Sequence, residues 1–221
     1  MRMGRRTFIR SSAAAGAIAA GSAGALTVPD PPRRAVLKPS CQEGIAPGNS
    51  LTEKLDFLEK HGYAGLEVSG GNLPGRVTEL ENALKGRSLK ISAICAGFKG
   101  CLISPEQAER DEAMNTMKDI LTASGALGST GLIIVPAFSR QNQLEHQKSR
   151  EMLVERLREL GEHAVNVKSR ILLEPLNRKE AYFLRLVADA AAICRDVASP
   201  GISCMGDFWH MTWEETSDMG A

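Results

Sequence analysis

From residue 35 onward, short apolar runs alternate with amphipathic segments, and this alternation restricts the chain more than any other feature. The runs are Ala35 to Leu37, Gly65 to Val68, Lys90 to Ala96, Leu132 to Val135, Ile171 to Leu173 and Ile202 to Asp207. Helical segments are predicted between them: Leu51 to Lys60, Val77 to Leu84, Ser104 to about Ser124, Ser149 to about Val167, and about Phe183 to Val197. In the first of these Leu51, Leu55 and Leu58 share a face. Ser50 and Glu53 have capping-box spacing, and Gly62 marks the helix end. Strands separated by helices cannot pair as hairpins and predict a parallel sheet. That leaves an open doubly wound sheet or a (β/α)8 barrel. No GxGxxG follows the first strand, which counts against a dinucleotide-binding sheet. The polar features fall after the second, fifth and sixth strands, as in a barrel whose active face lies at the strand C-termini.

The fifth unit, ILLEPLNRKE (Ile171 to Glu180), carries the sharpest signal. An apolar run ends abruptly in Glu174, then a proline, then a loop with Asn177, Arg178, Lys179 and Glu180. The sixth run ends the same way, in Asp207 followed by Phe208, Trp209 and His210. A carboxylate at the C-terminal end of a parallel strand stands where α/β folds place chemistry. The residues alone leave alternatives open. Glu174 is either a site carboxylate or a structural one pairing with Arg178, and Asp207 is either a site residue or a helix N-cap. His210, among Trp209, Met211 and Trp213, reads as a site residue or a core histidine. Glu180 is a site residue or a solvated cap. Phe208 and Trp209 offer an apolar wall to a site or belong to the core. Glu67, at the end of the second strand, faces the site or is structural. His61, His146 and His163 have no partner spacing and read as surface residues.

With 221 residues, 24% charged and 43% hydrophobic, the chain suits one globular domain with a substantial core. Its net charge of +1 and lack of a dense basic patch count against a nucleic-acid partner. The five cysteines are odd in number and show no CxxC, against a zinc site or disulfide framework. They read as small buried apolar residues, with one disulfide left open should the protein be exported.

Residues 1–25 read as an export signal rather than part of the fold. Arg2, Arg5, Arg6 and Arg10 give a basic start, a mildly apolar run follows from Ala13, and Ala23-Gly24-Ala25 has the small-x-small form of a cleavage site. Arg5-Arg6-Thr7-Phe8-Ile9-Arg10 resembles the twin-arginine (Tat) signal, which implies the Tat export machinery as a partner and a periplasmic or extracellular location. The segment is too short and too rich in Ala and Gly for a stable membrane span. Residues 26–34, containing TVPDPPRR, read as a Pro-rich linker. Residues 35–221 form the domain.

Two motifs, Leu173-Glu174-Pro175-Leu176-Asn177-Arg178-x-Glu180 and Gly206-Asp207-x-x-His210-Met211, resemble the xylose isomerase-like TIM-barrel superfamily and its sugar phosphate isomerase/epimerase branch. The resemblance implies an α/β (β/α)8 barrel with about six of eight units present, the chain ending at Ala221 ahead of the last two. It implies a metal-dependent sugar or sugar phosphate isomerase or epimerase working through an enediolate. It places metal ligation on Glu174 and Asp207, catalytic proton transfer on Glu174, and substrate binding on Glu180 and His210. Mn²⁺ is the ion that suits such a donor set best, with Mg²⁺, Co²⁺ and Zn²⁺ as others that fit. Two further ligands of the family pattern, a histidine after the seventh strand and a glutamate on the eighth, would lie past Ala221. A non-catalytic carbohydrate-binding barrel and, less favoured, an endonuclease IV-like hydrolase are the alternatives. A homo-oligomer stays open.

Overall fold

The computed structural model describes residues 36–141, 144–218 and 220–221, so the segments read as an export signal and a linker lie outside the described residues. Six strands and six helices alternate among the described residues: β1 (Ser40–Gln42), α1 (Leu51–Lys60), β2 (Gly65–Ser69), α2 (Leu73–Leu84), β3 (Lys90–Cys95), α3 (Gln107–Ala126), β4 (Leu132–Ile134), α4 (His146–Asn166), β5 (Ile171–Leu173), α5 (Val187–Val197), β6 (Ile202–Cys204) and α6 (Phe208–Glu214).

Every neighbouring pair is parallel, and the sheet order β1-β2-β3-β4-β5-β6 follows the chain. A doubly wound sheet would reverse direction part-way to cover both faces with helices. Here the order never reverses, and the strand faces divide accordingly. The outward residues Leu132, Ile134, Ile171, Leu173 and Ile202 join one large core with Leu58, Leu80, Met117, Leu153, Leu157 and Ile193 of the helices. The inward Ala93, Ile133 and Leu172 form a separate small cluster with Met205 and no helical residue. Helices on one face and a small inner cluster on the other are the arrangement of a barrel wall.

Local chemistry explains the element boundaries. Ser50 caps α1 by accepting the Glu53 N–H at 3.2 Å, while the Glu53 carboxylate reaches back to the Asn49 N–H at 2.8 Å. Glu145 starts α4 by accepting the N–H groups of Gln147 and Lys148. The first strand corrects the sequence reading: Val36 and Leu37 are 82% and 87% exposed and irregular, and the strand is the polar Ser40–Gln42. It holds its place through the β2 ladder, with Cys41 alone packed part-buried against the core. Gly97 (φ +86°) closes the β3–α3 loop against the β2–α2 loop, where a Cβ would meet the Gly71 N at 2.1 Å.

Candidate active site

The inward face turns polar at the C-terminal ends of the strands. Gln42 and Glu67 are register partners on β1 and β2, and the Gln42 amide donates to Glu67 Oε1 at 2.8 Å. A cavity of about 380 Å³ opens here, lined by Gln42, Glu43, Lys54, Glu67, Ser69 and Cys95 among others. Burial, followed by the Glu67 and Glu174 carboxylates, pushes the Cys95 thiol upward.

Glu174 follows β5 directly. Its N–H donates to the Ile134 carbonyl at 3.0 Å, extending the β4–β5 ladder by one residue. Because Leu172 points inward, period-2 alternation also sends Glu174 inward. Its carboxyl is pushed up to about 7, first by burial and then by Asp207, Glu67 and Glu180. Like charges gather beside a part-buried carboxyl, which disfavours its ionised form. Arg178 does not relieve Glu174: its guanidinium is committed to Glu214.

Asp207 serves two ends. Oδ1 accepts the Trp209 N–H at 2.7 Å as the N-cap of α6, and Oδ2 lies 3.9 Å from His210 Nε2. The helix N-cap reading therefore holds, and the second oxygen faces His210. Donor atoms of Glu174, Asp207 and His210 all lie within 4.8 Å of one another. His210 is buried, but bonded rather than merely packed: Asn177 approaches its Nδ1 with both the backbone N–H (3.3 Å) and the side-chain amide (2.9 Å). Glu180 is half-exposed, accepts the Asn177 amide at 2.7 Å, and stands 3.9 Å from His210 Nδ1. All four residues singled out in the sequence thus meet at one end of the sheet, with Glu67 as a fifth. Phe208 and Trp209 are 70% and 63% exposed, which removes them from the core.

Two residues of this network escaped the sequence reading. Asn177 sits in a turn, where asparagine is common for local reasons. Glu214 ends a short helix and looks solvated, yet its side chain is 3% exposed. Glu215 reaches α5, whose Leu186 cap offers no side-chain bond, and accepts the Val187 N–H at 2.8 Å.

A cation fits the two carboxylates. Glu174 and Asp207 converge beside His210, Glu174 is held by no donor among the described residues, and the surrounding charge is negative.

Comparison with known proteins agrees with this architecture. Residues 55–220 match the family described as xylose isomerase-like TIM barrel. The chain is 26% identical over 174 residues to 3-dehydro-D-guloside 4-epimerase of Escherichia coli (strain K12), covering 75% of this chain and 66% of that protein. It therefore spans just under two thirds of that relative's length. D-psicose 3-epimerase of Clostridium cellulolyticum H10, solved with D-tagatose, superposes at TM-score 0.75 and 21% identity over 84% of this chain and 68% of its own. The IolI protein, solved with a zinc atom, superposes at 0.69 and 19% identity over 82% and 66%. The match over three quarters of its length, on the six-stranded parallel sheet described above, shows that the chain belongs to the xylose isomerase-like TIM barrel family.

Proposed function

We propose that this protein is a metal-dependent sugar or sugar phosphate epimerase or isomerase that moves a proton at a carbon beside a carbonyl. The observation that carries the reading is the convergence of Glu174, Asp207 and His210 at the strand ends, with the Glu174 carboxyl pushed up to about 7. The epimerase names of the E. coli and Clostridium proteins support the sugar class, and the zinc atom in IolI supports a metal.

Glu174 and Asp207 would hold a divalent ion, Mn²⁺ best suiting an oxygen-rich set and Zn²⁺ also fitting. Such an ion, when bound, supplies positive charge that makes the proton beside the carbonyl more acidic. Glu174 takes that proton: its carboxylate, at the strand end and free of any protein donor among the described residues, stands beside both the ion and the reacting carbon. His210 turns Nε2 toward the carboxylates, placing a donor where negative charge develops on a sugar oxygen. Glu180, oriented by Asn177, accepts from a sugar hydroxyl. Exposed Phe208 and Trp209 on the rim offer apolar faces to a sugar ring.

Calorimetric titration with Mn²⁺ tests the reading on wild type, Glu174→Gln and Asp207→Asn. Binding by wild type, lost or weakened at least ~10-fold in each variant, is expected. Absence of binding by wild type defeats the metal-dependent reading. Proton exchange at the carbon beside the carbonyl of a ketose in D₂O, absent in Glu174→Gln, is the expected activity.

The Arg5-Arg6 signal supports export by the Tat machinery to the periplasm or beyond. Replacing both arginines with lysine should leave the protein in the cytoplasm, and fractionation reads the result.

A further inference from the structure

Asn177 is one of few buried polar side chains, 4% exposed, and its amide orientation is settled by its neighbours. The Lys179 backbone N–H donates to Asn177 Oδ1 at 3.0 Å, and a backbone N–H can only donate. The oxygen is thereby identified, and Nδ2 faces the other way. There it donates to Glu180 Oε1 at 2.7 Å and lies 2.9 Å from His210 Nδ1. An amide nitrogen has donors and no acceptor, so Nδ1 must present its lone pair. The Asn177 backbone N–H points at the same atom from 3.3 Å. Two donors aimed at Nδ1 leave the proton of the neutral imidazole on Nε2, the nitrogen 3.9 Å from Asp207 Oδ2.

We propose that Asn177 is a positioning residue that holds His210 as the Nε2–H tautomer, which makes His210 a donor to substrate and closes it to metal coordination. Of the three side chains that cluster, only the two carboxylates then remain free to ligate. The Nδ1 lone pair is engaged by two N–H groups, and Nε2 carries a proton. The identity of the oxygen that receives the Nε2–H rests on the sugar epimerase reading; the tautomer does not.

The test is a two-bond ¹H–¹⁵N correlation spectrum of the metal-free full chain with labelled histidine. His210 is picked out from the four histidines by its loss in His210→Gln. Wild type is expected to show a bare Nδ1 and a protonated Nε2. Asn177→Asp keeps the acceptor for Lys179 but puts a carboxylate oxygen where the donor was, so its Nδ1 is expected to gain the proton. A wild-type proton on Nδ1, or an Asn177→Asp spectrum like that of wild type, overturns the proposal. Should the variant not fold, the wild-type spectrum decides alone. Added Zn²⁺ should leave Nε2 protonated, and coordination of either ring nitrogen overturns the proposal. If the tautomer is as stated and no divalent ion binds, the metalloenzyme reading fails while the role of Asn177 stands.

Discussion

The Arg178 guanidinium donates to both oxygens of Glu214, from Nε at 2.8 Å and Nη2 at 3.2 Å, and the Arg178 backbone N–H adds a third bond at 2.7 Å. The carboxylate is 3% exposed and the guanidinium 60%, so a mostly solvated cation answers a buried anion. Glu214 closes α6, and Arg178 lies in the loop that follows Glu174. The pair thus fastens the helix carrying His210 to the loop carrying Asn177 and Glu180.

Arg178→Ala should leave that buried carboxylate with its backbone donor and a distant Arg185 at 3.8 Å. Amide hydrogen exchange in residues 211–215 should quicken by roughly 10-fold while α1 is unaffected. Arg178→Lys should rescue little, because a point-like ammonium cannot donate to both oxygens from one plane. Unchanged exchange in α6 would refute the fastening role.

Two glutamates should pull stability in opposite directions with pH. Arg178 holds the Glu214 carboxyl below the usual range, so its stabilisation is present at neutral pH and lost as pH falls through its lowered native pKa. Glu174 is raised from 4.5 to about 7, so the native state binds its proton more tightly than the unfolded chain does. Between those values the metal-free protein should lose stability as pH rises, with no further loss from this group above about 7. Melting temperatures across pH should show the rising-pH loss in wild type and not in Glu174→Gln.

Adjacent residues of β5 should differ in their cost. Leu173 is fully buried against the helices, and Leu173→Ala should cost roughly 2–5 kcal/mol. Leu172 faces the small inner cluster at 9% exposure, and Leu172→Ala should fall at or below the low end of that range. Urea unfolding of both variants makes the comparison, and equal costs would contradict the division of the two faces.

Cys194 on α5 shares a hydrogen bond with Cys204 of β6, and burial followed by that neighbour pushes its thiol up to about 12. Native protein at pH 8 should leave Cys194 unmodified by iodoacetamide while the unfolded chain alkylates fully, as peptide mass spectrometry would show.

The sequence was most legible where one periodicity did the work. Ile171 to Leu173 ending in Glu174 could be read directly, since an apolar run and an abrupt carboxylate both survive in one dimension. β1 could not, because Ser40, Cys41 and Gln42 carry no hydrophobic pattern and owe their strand to β2. Helix starts drifted by a few residues for a related reason: α2 begins at Leu73 behind Asn72 in a left-handed turn, and α5 at Val187 behind a cap supplied by Glu215. Asn177 and Glu214 were illegible as site residues because their importance lies in what folds beside them. Glu174 and Asp207 stand out as strand-end carboxylates, and their grouping with Glu180 and His210 comes from motif resemblance, which encodes tertiary placement that composition lacks.

The helix capped by Asp207 also holds the only two tryptophans of the chain, Trp209 and Trp213, in edge contact at 6.0 Å between ring centroids. Lys179, one residue before Glu180, rests over the Trp213 ring at 4.3 Å. All indole fluorescence therefore originates within a few residues of the candidate ligands. An ion or sugar that tugs on Asp207 or displaces Lys179 will change emission with no dye attached. The protein carries its own optical gauge, and a fluorimeter is enough to follow what enters the site.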